Sequence, residues 1–177
     1  TRPVWNFGDA SPHRPLWAAI DDRLVFAETG AEGEGLWATS ENEEETVFLA
    51  PLTTTSLVSA GTVAYVGATD AENRPEIWRT DGTVEGTTRV KALATGVQTG
   101  RVLGLSVAYG RLYFSVYMTG ARASLWTSDG TEAGTRLLRE IGLVPPSPTL
   151  SVTAAVDGRL FFMGQDGNQT SQLWVSD

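Results

Sequence analysis

The chain has 177 residues and a mass of 19.0 kDa, and its 41% hydrophobic and 19% charged residues indicate a globular protein rather than a disordered one. Its net charge of −8 disfavours nucleic acid and anionic lipid as partners, and no apolar run approaches the roughly 18 residues needed for membrane insertion. Cysteine is absent and there is one histidine, which excludes disulfides, iron–sulfur clusters and multi-histidine metal sites, so we expect no metal and no other cofactor.

Four pairs of an aliphatic residue and a tryptophan recur at similar intervals along the chain. The pairs are Leu36-Trp37, Ile77-Trp78, Leu125-Trp126 and Leu173-Trp174, and their tryptophans lie 41, 48 and 48 residues apart. A short apolar run, such as Leu24-Val25-Phe26, precedes each pair. Self-similarity at a period of 40 to 50 residues predicts repeated structural units.

An Asp-Gly-Thr turn follows the tryptophan in the second and third copies and begins at Asp81 and Asp129. The Asp can accept hydrogen bonds from backbone amides and the Gly can adopt a positive φ, so each turn is expected to join two strands. Neither Asp has the ligand spacing of a calcium loop, which favours a structural role. The first copy replaces the turn with the acidic run 41–45, which we expect to be a solvated turn.

Each copy is interpreted as four short strands, because no segment has a sustained helical period with caps at its ends. Four-stranded units at this spacing are typical of a β-propeller. The sequence therefore predicts an all-β fold, a single β-propeller domain of about four four-stranded blades. The repeat units are 16–50, 53–92, 101–141, and 150–177 together with 1–8.

The two ends of the chain are predicted to be complementary. The fourth copy stops at Asp177, before its outer strand, whereas the segment around Val4 resembles the start of such a strand. Pairing of Val4 beside the strand of Trp174 would close a four-bladed ring. A fragment of a longer array, or a half-ring that dimerises, would have the same ends.

The third copy, Leu125-Trp126-Thr127-Ser128-Asp129-Gly130-Thr131, resembles the bacterial ELWxxDGT repeat family. The second copy, Glu76-Ile77-Trp78-Arg79-Thr80-Asp81-Gly82-Thr83, is the nearest match, with Ile in place of Leu. The first copy lacks the Asp-Gly-Thr turn and the fourth ends at its Asp. The resemblance covers nearly the whole chain. It implies a propeller-like architecture and an exported protein, extracellular, periplasmic or at the cell surface, but no particular chemistry.

The order of antiparallel strands predicts where a ligand would bind. Loops between second and third strands lie on the same face of the ring as the connections between copies, and the Asp-Gly-Thr turns lie on the opposite face. The first face, which we call the loop face, carries the non-repeating polar residues, and loops on a rigid scaffold are where function is usually placed. The candidate ligand-binding residues there are Arg14, Glu32, Asp70, Arg74, Tyr117, Arg122, Asp166 and Asn168.

No catalytic set is evident in the sequence. A Ser-His-Asp arrangement could use only His13, which lies in a proline-rich connection. We therefore expect a non-enzymatic exported binding or scaffold module whose partner is a protein or a surface glycan. One alternative is an accessory subunit or oligomer in a larger assembly. The other is a hydrolase acting on polysaccharide, in which two of the 21 acidic residues form a carboxylate pair.

Overall fold

In the computed structural model, the described residues are 16–30, 33–40, 46–120, 123–141, 151–157, 159–165 and 171–176. None of them lies in a helix, and they form fifteen β-strands. No span that could cross a bilayer as a helix is found within this part of the chain.

The strands form four separate antiparallel sheets in chain order. The first sheet contains β1 (Trp17–Ile20), β2 (Arg23–Gly30), β3 (Gly33–Thr39) and β4 (Val47–Ala50). The second contains β5 (Thr53–Ser59), β6 (Ala64–Thr69), β7 (Pro75–Thr80) and β8 (Thr88–Ala92). The third contains β9 (Gly100–Ala108), β10 (Arg111–Met118), β11 (Ala123–Ser128) and β12 (Arg136–Ile141). The fourth contains β13 (Ser151–Val156), β14 (Arg159–Gln165) and β15 (Ser171–Ser176).

The first strand of each sheet contacts the first strand of the next, since β1 meets β5, β5 meets β9 and β9 meets β13. Strands in each sheet follow one another in sequence order, so every connection within a sheet is a hairpin. Meandering sheets arranged side by side with their first strands innermost are the blades of a propeller. The prediction of an all-β propeller is confirmed. The predicted pairing of Val4 with the strand of Trp174 lies outside the described residues.

In the first three sheets, the aliphatic residue of each pair is buried in the third strand, and its tryptophan is buried or half-buried. Leu36, Ile77 and Leu125 are at most 3% exposed, and Trp37 is 7% exposed. A β-bulge between each aliphatic residue and its tryptophan recurs in the first three sheets, where the outer strand pairs with the third strand. Both neighbours in sequence can therefore be apolar, because each face of a blade packs against a further layer.

The Asp-Gly-Thr turn of the second sheet is held by a network of hydrogen bonds. The carboxylate of Asp81 accepts from the backbone amide of Thr83 at 3.0 Å and from its hydroxyl at 2.7 Å. The hydroxyls of Thr80 and Thr87 share a 2.7 Å hydrogen bond across the ends of the turn. Hydrogen bonds from Thr83 hold the pKa of the Asp81 carboxyl below its ordinary value. These bonds stay within the turn and join β7 to β8.

The third sheet repeats this network between Ser128 and Thr135. Asp129 accepts from the amide and the hydroxyl of Thr131 at 3.0 and 2.7 Å, and Ser128 and Thr135 share a 2.6 Å hydrogen bond. The identical geometry at two positions 48 residues apart in the sequence is that of a repeated structural turn. The two turns lie on the face of the ring opposite the loop face.

Candidate functional site

A groove of about 340 Å³ lies between the second and third sheets, at the end that faces the inter-sheet connections. We call it the threonine groove, because five of its lining residues are threonines. Its lining consists of Thr53, Thr55, Thr69, Asn73, Thr99, Gly100, Arg101, Tyr117 and Thr119. Hydroxyl groups, one amide, one guanidinium and one phenol are thus gathered in a cleft beside the innermost strands.

Strand register supplies the wall from the second sheet. Thr53 and Thr55 on β5 both line the groove, and Thr55 is the extra residue of a β-bulge. Thr69 on β6 lies directly opposite Thr53. The hydroxyl of Thr55 donates a 2.9 Å hydrogen bond to the carbonyl of Val102 on β9 and so links the two sheets beneath the groove. This bond leaves the lone pairs of the Thr55 oxygen free to accept from a ligand.

The wall from the third sheet is a cross-strand pair. Arg101 on β9 lies opposite Tyr117 on β10, and directly opposite residues place their side chains on the same face of a sheet. Above them, the hydroxyls of Thr99 and Thr119 are joined by a 3.1 Å hydrogen bond. A 2.8 Å bond from the amide of Thr119 to the carbonyl of Thr99 holds these two segments together.

Asn73 enters the groove from the loop between β6 and β7. Its backbone is in the left-handed region, with φ 59°, and its carbonyl accepts a 2.8 Å hydrogen bond from the amide of Gly100. The Asp70 carboxylate supports this conformation by accepting from the amides of Glu72 at 3.1 Å and Arg74 at 2.8 Å. Asp70 is therefore a positioning residue for Asn73.

Asp70 forms an ion pair with Arg74 at 2.6 Å, and Arg74 also contacts Glu72 at 3.0 Å. Partial burial acts to raise the pKa of the Asp70 carboxyl, but hydrogen bonds from the amide and guanidinium of Arg74 overcome this and hold the pKa below its ordinary value. A general acid needs a raised pKa. The Asp70 carboxylate is thus suited to fixing the shape of this loop and not to proton donation.

Three of the eight predicted ligand-binding residues fall within the described part of the chain. Tyr117 lines the threonine groove, while Asp70 and Arg74 hold the loop beside it. The other five lie outside the described residues, namely Arg14, Glu32, Arg122, Asp166 and Asn168. The sequence interpretation missed Arg101 and the threonines. The available signal was the run of three threonines, Thr53-Thr54-Thr55, at the start of an inner strand.

A second groove, of about 500 Å³, lies between the third and fourth sheets. Three arginines line it together with aromatic and aliphatic residues, and the guanidinium of Arg139 lies 5.5 Å from the ring centre of Trp174. Leu138, at the bulge of β12, lines it and is 41% exposed. The equivalent bulge residues of the first and second sheets, Leu49 and Val90, are buried at 5% and 8%.

Within the described ranges, no cluster of three or more histidine, aspartate or glutamate residues could hold a metal ion. The threonine groove is the better candidate for a functional site, because polar groups of two sheets converge in it with fixed geometry.

No family model matches the chain, and no curated protein matches it. Among solved structures, it resembles an acylaminoacyl peptidase from Pyrococcus horikoshii, with 15% identity and a TM-score of 0.55 over 93% of this chain and 26% of that one. It also resembles a structure of two prolyl endopeptidases, with 12% identity and a TM-score of 0.53 over 88% of this chain and 25% of that one. At such identities the likeness shows the fold.

The chain also resembles GH43B of the Bacteroides ovatus xyloglucan PUL, with 10% identity and a TM-score of 0.48 over 92% of this chain and 38% of that one. The chain thus spans between a quarter and two fifths of the length of these three proteins. The expectation of a non-enzymatic binding or scaffold module is wrong. The solved structures that the chain resembles are peptidases and glycoside hydrolases, and at these identities they show the fold that the chain shares with them.

Proposed function

We propose that this chain is the propeller of a hydrolase that acts on polysaccharide and that the threonine groove holds the sugar. The groove's chemistry supports the proposal. Sugars present many hydroxyls, and the lining offers Thr55, Thr99, Thr119 and Asn73 as short, fixed hydrogen-bonding partners. Tyr117 adds an aromatic surface for the apolar face of a sugar ring.

Glycoside cleavage uses two carboxyl groups, one of which donates a proton while the other acts as a base or nucleophile. Hydrogen bonds from Arg74 hold the pKa of the Asp70 carboxyl below its ordinary value, so Asp70 is unsuited to the role of proton donor.

Release of reducing ends from a panel of plant and bacterial polysaccharides tests this proposal. We expect the wild-type chain to cleave at least one of them, and Tyr117→Ala to raise KM with a smaller effect on kcat, because the ring binds sugar without taking part in proton transfer. Cleavage that is unaffected by Tyr117→Ala, or no cleavage of any glycan, would contradict the proposal.

The motif residues 76–83 and 125–131 support a further part of this proposal, that the chain is an ELWxxDGT repeat protein and is exported. An exported hydrolase would meet polysaccharide outside the cell. Detection of the protein in the medium or envelope fraction of its source organism tests this part, and a purely cytoplasmic protein would contradict it.

A second candidate function is that of an accessory subunit whose fourth sheet receives a β-strand from another subunit. The exposure of Leu138, beside 62% exposed Leu173 and 55% exposed Val175 on β15, favours it. Native mass spectrometry of the protein isolated gently from its source is the test. We expect a complex that Leu138→Glu dissociates, and a lone wild-type monomer would contradict this candidate.

A further inference from the structure

Arg101 is the single charged residue among those that line the threonine groove. It is exposed on β9, and in the part of the chain that the structure describes it joins none of the ion pairs, which use Arg74 and Arg89. The described lining contains no carboxylate. An unneutralised guanidinium in a cleft of a chain with net charge −8 makes this groove a local site for an anion.

The residues around Arg101 indicate which kind of anion would bind there. The planar guanidinium matches a carboxylate with two parallel hydrogen bonds. Because Arg101 lies opposite Tyr117 across the strand pair, a sugar ring resting on the phenol can place a carboxylate at the guanidinium. The ring hydroxyls can then form hydrogen bonds with the hydroxyls of Thr99 and Thr119 and with the amide of Asn73.

A phosphate group fits this groove less well. Phosphate sites in proteins usually gather several backbone amides around the anion. Here the two amides best placed at the groove are already used, since Gly100 donates to the carbonyl of Asn73 and Thr119 donates to the carbonyl of Thr99, both at 2.8 Å. One guanidinium without free amides favours a carboxylate.

We propose that the threonine groove binds a uronic acid residue of an acidic polysaccharide, with the sugar carboxylate on Arg101 and the ring on Tyr117. This inference rests on the proposed function, which it deepens by naming the substrate class. Neutral sugars would keep the contacts to the threonines and to Tyr117 and would lose the ion pair.

Affinity electrophoresis with polygalacturonate and with the same polymer after chemical reduction of its carboxyl groups tests the proposal. We expect wild-type protein to bind the acidic polymer at least about tenfold more tightly at low salt, because a hydrogen-bonded ion pair contributes roughly 1.5 kcal/mol or more. Arg101→Gln should abolish that preference, and Arg101→Lys, which keeps the charge without the planar fork, should keep part of it.

Arg79→Gln is the matched control, since Arg79 is exposed on β7 and does not line the groove. It removes the same charge from the chain, so general attraction to a polyanion falls equally in both variants. Thermal unfolding of each variant checks that the fold is kept. Equal binding of both polymers, no binding of the acidic one, or equal losses in the Arg101 and Arg79 variants would overturn the inference.

The two proposals can fail separately. If the acidic polymer binds through Arg101 but no glycan releases reducing ends, the proposed hydrolase activity is contradicted and the proposed uronate site is supported. If neutral glycans are cleaved and the cleavage does not depend on Arg101, the proposed hydrolase activity is supported and the proposed uronate site is contradicted.

Discussion

The indole nitrogen of Trp78 donates a 2.9 Å hydrogen bond to the carboxylate of Glu76, two residues earlier on β7. In the third sheet, Trp126 donates to the hydroxyl of Ser124 at 2.9 Å, at the same spacing. In both sheets, the residue two positions before the tryptophan thus accepts a hydrogen bond from the half-buried indole. A glutamate at this position has a structural explanation that does not involve catalysis.

In the first sheet, the tryptophan indole has a different hydrogen-bond partner. Gly35 occupies the equivalent position, and a Cβ there would clash with the ring of Phe48. Phe48 packs edge-on against Trp37, with ring centres 4.9 Å apart. The indole of Trp37 donates instead to the carbonyl of Glu28, at 3.3 Å. The glycine therefore makes room for an aromatic pair.

Replacing Glu76 with alanine is expected to cost about 1–3 kcal/mol of unfolding free energy. The Glu76 side chain is only 5% exposed and also accepts a 2.7 Å bond from Arg89, so its loss leaves the indole of Trp78 without a partner. Urea denaturation measures the change. Ser124→Ala, which removes two neutral bonds, one to Trp126 and one to the Val116 carbonyl, should cost about 1 kcal/mol. A larger effect for Ser124→Ala than for Glu76→Ala would contradict this account.

Gly86→Ala is expected to destabilise the second Asp-Gly-Thr turn by about 1–3 kcal/mol, the usual cost of overpacking. A Cβ at Gly86 would clash with the carboxylate of Asp81, and Gly134 bears the same relation to Asp129. A double-mutant cycle by chemical denaturation is the measurement. The cost of Gly86→Ala should largely disappear in an Asp81→Ala background, and additive effects would contradict the role of the carboxylate.

Asp70→Asn is expected to destabilise the protein at neutral pH and to have little effect in acid. The bonds from Arg74 hold the pKa of Asp70 below its ordinary value, so the wild-type advantage is complete above the unfolded-state pKa of about 4 and is lost as pH falls through the lower folded-state pKa. Thermal melts of both proteins between pH 2 and pH 7 measure this. A difference in melting temperature that grows as pH falls would contradict the assignment.

Asn73→Gly is expected to weaken glycan binding by about three- to tenfold while leaving the melting temperature nearly unchanged. Glycine tolerates the left-handed backbone at this position, so the variant removes the side-chain amide without straining the loop. Affinity electrophoresis and thermal melts measure the two effects. Asp70→Ala, which undoes the loop itself, should change both, and unchanged glycan binding in Asn73→Gly would place the ligand elsewhere.

The repeat could be predicted from sequence because its signals are local. The tryptophans, the Asp-Gly-Thr turns and the apolar runs each lie within one sheet, and turn chemistry specifies the hairpins. The outer strand β4 forms even though the first copy lacks the turn, because Val47-Phe48-Leu49 has high strand propensity and packs beside Trp37. Strand propensity and packing are sufficient there without the motif.

The candidate site could be predicted only in part because it is assembled across two sheets. Tyr117 could be predicted from the sequence because it is a non-repeating aromatic residue on the loop face. Arg101 and Thr55, however, are 46 residues apart in sequence and meet only when the innermost strands pack. A single sequence has no local signal for that packing, so the interpretation selected Asp70 and Arg74, whose charges stabilise the neighbouring loop.

The substrate role of the threonine groove is tested most directly by the crystal structure of the chain with a bound product oligosaccharide. We predict a sugar ring against Tyr117, with its hydroxyls within hydrogen-bond distance of Thr55 and Asn73. An oligosaccharide bound away from this groove, with the groove holding only solvent, would contradict that role.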